Sequence, residues 1–309
     1  MTKMIATRDA YGDTLRELGE LNKDIVVLDA DLSGSTKTSA FAKAFPDRFF
    51  NVGIAEQNLM GTAAGLAAAG KIPFASSFAM FATGRAFEII RNSICYPRLN
   101  VKIAATHAGL TVGEDGATHQ ALEDISIMRS LPNMIVLSPA DAVETRQCII
   151  QALDYNGPVY IRLGRAKLPV IFDDNYKFEI GKGVQLTEGN DLAIIATGTM
   201  VDRALKAAEK LAQENISARV INMPSIKPID RDIIIKAARE TRGIVTAEEH
   251  SIIGGLGSAV AELVSENHPT KVIRIGTMDT FGESGEGFEL LDKYGLSVDN
   301  IINKAKEIL

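Results

Sequence analysis

Short apolar runs recur along the chain, and between them lie stretches in which apolar residues return every three or four positions. The runs DIVVLDAD (24–31), FFNVG (49–53), IPFASS (72–77), VKIAATH (101–107), NMIVLSP (133–139) and PVYIRLG (158–164) are apolar on successive positions. That is the pattern of strands buried on both faces. The intervening periodicity predicts helices over 8–21, 54–69, 82–94 and 141–154. Asp141, with Glu144 three residues later, reads as a helix N-cap with its return partner. Alternation of this kind predicts an α/β fold, a mainly parallel sheet with helices on both faces. The segment 165–190 breaks the rhythm. It is polar, holds Pro169 and two closely spaced glycines, and reads as a linker with one or two short strands. The rhythm then returns in DLAIIATG (191–198), SARVINM (217–223), RGIVTAEEH (242–250) and KVIRIG (271–276), with a last helix near 298–308. The expected organisation is two such α/β domains, 1–170 and 190–309, joined by 171–189.

Composition narrows the class. A chain of 309 residues, 46% hydrophobic, suits two domains with ample cores. The net charge of −6 argues against nucleic acid or anionic lipid as a partner. The longest smooth stretch, Leu59 to Ala82, is interrupted by Lys71 and Pro73, so no membrane span is expected. Cys95 and Cys148 lack metal-ligand spacing and fit a reducing, cytoplasmic setting. The opening MTKMIATRDA has no apolar core of the secretory kind, and no such signal is expected.

Two glycine motifs read as packing devices. GLAAAGKI (65–72) has phosphate-loop spacing, but Ile72 stands where a metal-binding hydroxyl belongs, and the segment ends a helix instead of opening one. IGGLGSAV (253–260) has half of a dinucleotide fingerprint, with Val260 at the third glycine position, and reads as a tight turn before a closely packed helix. Gly61, Ala64, Gly65 and Ala68 share one helix face. Such a stripe lets another backbone approach, either within the chain or from a second subunit.

Chemistry concentrates at strand ends. In parallel sheets, ligands bind beyond the carboxyl ends of the strands. Glu56 sits there, in the first turn of a helix otherwise lined with Gly and Ala; the helix dipole alone would favour an acid at that place. Asp31 and Ser35 follow another strand, Phe78 and Phe81 a third, His107, Asp115 and His119 a fourth, and Arg162 and Arg165 a sixth. So many polar groups converging on one rim are costly to bury without a task.

The stretches GIAEQNLMGTAAGLAAAG, THAGLTVGEDGATHQALEDISIMRSLPNMIVLSPAD and YIRLGR closely resemble transketolase. The resemblance covers nearly the whole chain but only the C-terminal half of a usual transketolase polypeptide. It implies a pyrimidine-binding domain of the thiamine diphosphate enzymes, followed by the family's C-terminal domain. In that reading Glu56 hydrogen-bonds a ring nitrogen of the aminopyrimidine and so promotes deprotonation of the thiazolium carbon. Phe78 and Phe81 pack on the ring, and Asp31 lies nearby. A third aromatic of the family's wall falls at Gly84 here. His107 and Asp115 match contacts to substrate hydroxyls, Arg8, Ser35 and Arg165 match holders of a sugar phosphate, and His119 matches a histidine that assists proton transfer.

A thiamine diphosphate enzyme also carries a GDG followed by Asn, which holds magnesium and the diphosphate. This sequence has no such pair. The resemblance therefore implies a split transketolase. This chain would bind the pyrimidine half of the cofactor and hold no metal of its own, while an N-terminal subunit brings magnesium and diphosphate, in an assembly of two copies of each. Alternatives are a 1-deoxyxylulose-phosphate synthase-like activity, a 2-oxo-acid dehydrogenase beta subunit, or a silent scaffold.

Overall fold

The computed structural model describes residues 3–309. Its first sheet has seven strands, in the order Ser225–Lys227, Ile135–Leu137, Val159–Arg162, Lys102–Ala105, Ile72–Ser76, Ile25–Asp29 and Phe49–Asn51. All neighbours run parallel except Ser225–Lys227, which is antiparallel to Ile135–Leu137. The second sheet has five strands, in the order Val272–Thr277, Ile244–Ser251, Leu192–Ala196, Ala218–Asn222 and the antiparallel Val184–Gln185. The fold is thus α/β with two mainly parallel sheets, as the alternation predicts.

Successive strand residues enter different cores, which explains the unbroken apolar runs. Val26 and Leu28 join a cluster with Leu59, Ala63 and Ile125, under the helix Glu56–Ala68. Ile25 and Val27 face the other way, onto Tyr11 and Leu15 of the helix Thr7–Leu21 and onto Cys148 and Ile149 of the helix Ala142–Asp154. The first cluster continues into Ile195 and Ile221 of the second sheet and Leu256 of a helix packed on it, so the two halves share apolar packing.

Several elements escape the sequence pattern. The linker is tied down at Asp141 and Glu144. Asp141 caps its helix by accepting from Glu144 N at 2.8 Å, and its other oxygen accepts from the Ile171 and Phe172 amides at 2.6 and 2.9 Å. Glu144 turns back to Ala140 N at 2.7 Å and also receives Tyr176 Oη at 2.6 Å and Asn222 Nδ2 at 2.7 Å. Burial raises its carboxyl to about 7 against these bonds. A single acid thus joins helix, linker and second domain. The stretch predicted as a helix over 82–94 is wound as two π-helical turns, Met80–Arg85 and Ile90–Cys95, around Phe87–Ile89. Gly84, with no side chain to pack, lies inside the first, and such wide turns are frequent beside functional sites. Among the described residues, no helix is long and apolar enough to cross a membrane.

Both glycine motifs are structural. Gly70 follows the end of the helix Glu56–Ala68 with φ 86°, and Lys71 pairs with Asp24 at 2.9 Å. The helix Leu256–Asn267 presents its Leu256 and Gly257 amides to the buried Glu248 carboxylate at 2.7 and 2.8 Å, so the chain's own acid fills the anion position. In the small-residue stripe, Ala64 turns inward while Gly61, Gly65 and Ala68 are exposed. A Cβ added at Gly61 or Gly65 would meet nothing within 4 Å, so the two glycines are not needed for packing within the chain.

Candidate active site

Five adjacent strands of the first sheet deliver the predicted residues to one rim. From Val159–Arg162 across to Phe49–Asn51, their carboxyl ends lead into Arg165, His107, Phe78, Asp31 and Glu56. Arg8 joins from the start of the helix Thr7–Leu21, where Thr7 Oγ1 accepts the Gly164 amide at 2.7 Å and fixes the two chain segments together.

Glu56 opens its helix and is only 1% exposed. Ser77 donates to Oε1 at 3.2 Å and Arg85 to Oε2 at 2.6 Å. The sequence pattern shows an apolar neighbourhood here and misses both partners. Arg85 stands four residues after Phe81, which is a readable signal, and its guanidinium lies 4.8 Å from the Phe81 ring centroid. Phe78 and Phe81 stack with centroids 6.3 Å apart. Phe78 stacks in turn on His107 at 3.9 Å, and His119 meets Phe81 edge-on at 5.1 Å. A buried carboxylate beside two phenyl faces suits a flat, nitrogen-bearing heterocycle, with stacking on the rings and a charge-assisted bond to the acid.

The second part of the site is cationic. Arg8 Nη1 donates to the Ser35 carbonyl at 3.1 Å and lies 3.1 Å from His107 Nε2. Since a guanidinium can only donate, Nε2 accepts, and the ring proton sits on Nδ1, 2.9 Å from Thr106 Oγ1. Arg8 and Arg165 line a cavity of about 290 Å³ with Lys167, Glu114 and the chain from Gly285 to Phe288, and Arg165 donates to the Val112 carbonyl at 2.6 Å and to Glu114 at 3.4 Å. Burial, and then the neighbouring Arg165, push the Arg8 guanidinium below its ordinary value, and its Nε is buried with no hydrogen-bond partner among the described residues. Crowded cations with an unused donor are the complement of a tetrahedral oxyanion.

Burial, and next the charge of Arg8, lower the His107 imidazole from 6.5 to about 3. It is therefore neutral in the fold at pH 7. The unfolded chain takes up its proton first as the solution is acidified, so this residue's contribution to stability is complete above pH 6.5 and is lost between there and about pH 3. At pH 4.5 the loss reaches up to about 2–3 kcal/mol, at about 1.4 kcal/mol per unit. Urea unfolding at pH 7 and 4.5 is expected to show a smaller acid loss for His107→Asn than for the parent; an equal loss would show that the ring is protonated in the fold.

The remaining predicted residues differ in how far they join. Asp31 has φ 65° and exchanges hydrogen bonds with Asn51 at 3.1 and 3.0 Å, which holds it at the open edge of the rim. Asp115 ends the helical turn Leu110–Asp115 with an exposed side chain that makes no hydrogen bond or ion pair among the described residues. Arg162, which the strand pattern places at the rim with Arg165, is instead buried. It binds Asp124 at 2.7 Å and the Glu249 carbonyl at 2.8 Å and faces the second domain.

A family profile described as the transketolase pyrimidine-binding domain matches residues 3–170, and one described as the transketolase C-terminal domain matches 181–301. This chain belongs to the transketolase family. A Methanocaldococcus jannaschii protein, provisionally named a transketolase C-terminal section, is 55% identical over 97% of this chain and 95% of its own length. A 6-deoxy-6-sulfo-D-fructose transketolase subunit from Clostridium sp. is 44% identical over 97% of this chain and 94% of its own. A solved structure titled split gene transketolase, inactive beta4 tetramer, is 60% identical, with a TM-score of 0.93, and covers 99% of this chain and 98% of that one. Other transketolases are about twice as long: the match to transketolase-like protein 2 of Mus musculus spans 49% of it. The chain thus corresponds to the C-terminal section of a transketolase, and the split layout read from its motifs agrees with these relatives.

Proposed function

We propose that this chain is the C-terminal subunit of a two-chain transketolase that moves a two-carbon ketol unit from a ketose phosphate to an aldose phosphate. The observation that carries this reading is the buried Glu56 carboxylate, tied through Ser77 and Arg85 to the segment that bears Phe78 and Phe81 and set on one rim with the Arg8–His107–Arg165 cluster. These residues fit the pyrimidine half of thiamine diphosphate. Glu56 would hold a ring nitrogen, and the phenyl faces would flank the ring and keep water away. When bound, the cofactor supplies the nucleophilic carbon and the electron sink for breaking the ketose chain. His107, neutral and already bonded through Nε2, would orient the substrate beside the cations, and His119 would hold or pass a proton at a hydroxyl. Asp115, whose side chain makes no hydrogen bond or ion pair among the described residues, would accept from a sugar hydroxyl, and Asp31 would close the pyrimidine's outer edge. Arg8, Ser35 and Arg165 would hold the terminal anion.

Magnesium and diphosphate are assigned to an N-terminal partner, whose GDG and Asn pattern this sequence lacks. The open glycine face of the helix Glu56–Ala68 supports self-association of this chain within a 2+2 assembly. The solved relative's title names a tetramer of one chain type and calls it inactive; by likeness, this chain alone would lack activity until its partner joins. The terminal anion is proposed as phosphate, while a relative's name carries a sulfonated sugar, and the same cations accept either group.

Calorimetric titration of thiamine diphosphate with magnesium tests the reading. No tight binding is expected to the lone chain, and tight binding with ketol transfer once the partner is added. Tight binding by the lone chain would place a diphosphate site here and overturn the division of labour.

A further inference from the structure

Arg85 makes, within the chain, the two contacts that the pyrimidine is proposed to make. Its guanidinium is flat and lies over Phe81 with Cζ 4.8 Å from the ring centroid, and it donates to Glu56 Oε2 at 2.6 Å. The Glu56 carboxylate is almost fully buried, whereas the Arg85 side chain is 48% exposed, so the arginine reaches in from the surface. It is carried on the wide turn Met80–Arg85, immediately after Gly84.

We propose that Arg85 is an internal occupant of the pyrimidine position, which neutralises the buried Glu56 while the site is empty and swings out to solvent when the cofactor's ring arrives. The inference rests on the pyrimidine-site reading above. Its physical basis is competition. A phenyl face covered by the guanidinium cannot carry a second flat ring until it has left, and the Glu56 oxygen that accepts from Arg85 at 2.6 Å has one lone pair fewer to offer that ring. The binding-competent state is then a fraction of the empty population, and apparent affinity falls by that fraction. The 48% exposure of the Arg85 side chain makes release feasible, because a guanidinium that turns out to water regains its hydration. Ser77 remains on Oε1 throughout and keeps the carboxylate oriented.

The test is calorimetric titration of thiamine diphosphate with magnesium into the assembled two-chain protein, with substrate omitted, for the parent, Arg85→Ala and Arg85→Gln. Both variants are expected to bind the cofactor about two- to sixfold more tightly than the parent, the range of a half-exposed ion pair converted to a population. Unchanged or weaker binding in Arg85→Ala would overturn the proposal and make Arg85 a wall of the cofactor site. If the parent complex binds no cofactor at all, the pyrimidine-site reading itself fails, and this inference with it. A crystal structure of the parent complex with thiamine diphosphate decides the matter even if the variants do not assemble. Arg85 turned away from Glu56 supports the proposal, and a retained 2.6 Å contact beside the bound ring sinks it.

Discussion

Glu56→Ala is expected to lower ketol transfer by about a thousandfold or more in the assembled enzyme, the range for losing a positioned acid–base group. The chain should stay folded. Glu56 lies at the rim, its helix continues for twelve residues beyond it, and its partner Arg85 is half exposed and can return to water. Removing the acid therefore leaves no buried charge behind. Unfolding in urea should show unchanged or slightly raised stability, as functional sites often cost their fold something. Activity is measured with the N-terminal subunit, and assembly is checked by gel filtration. A Glu56→Ala enzyme that retains full turnover would end the catalytic assignment and favour the scaffold reading.

Arg162→Met is expected to have the largest effect on stability. Arg162 is 7% exposed, and its partner Asp124 is 1% exposed. Burial by itself would raise the Asp124 carboxyl, but the Arg162 charge, with the Arg162 and Tyr160 hydrogen bonds, brings it below its ordinary value. Tyr160 Oη donates to the same oxygen at 2.6 Å. Without the guanidinium, Asp124 becomes an uncompensated buried charge, and the Glu249 and Ala121 carbonyls lose a donor. Breaking such a pair costs about 3–5 kcal/mol, which should shift the urea midpoint substantially. Adding Asp124→Leu to Arg162→Met should recover much of the loss, because two apolar side chains replace the pair together. If the single change leaves the midpoint in place, Arg162 is not the tie between the domains described here.

The rim was legible because strand ends are legible. Each apolar run that closes on a polar residue in a βα alternation must deliver that residue to the same edge of the sheet, so Asp31, Glu56, Phe78, His107 and Arg165 could be named together before any geometry was known. Arg162 shows where that logic stops. It ends its strand three residues before Arg165, and only packing against Asp124 and the second domain reveals that it points inward. Ser77 and Arg85 were missed for another reason. Their relation to Glu56 crosses between elements more than twenty residues apart, and periodicity describes one element at a time. The segment Ser225–Lys227 was unreadable as a strand of the first sheet because its pairing partner lies about ninety residues upstream, in the other domain.

That exchanged strand bears on how the chain is made. While the polypeptide emerges from the ribosome, the first sheet gathers six of its strands by about residue 162, yet the edge at Ile135–Leu137 stays bare until Ser225–Lys227 has been synthesised. A bare edge is a template for pairing with other nascent chains. Folding one domain at a time, with the first completed before the second is begun, is therefore closed to this protein; its amino-terminal half is finished only from downstream. A gene fragment ending near residue 170 should accumulate as aggregate, while one extended past residue 227 has the means to cover itself.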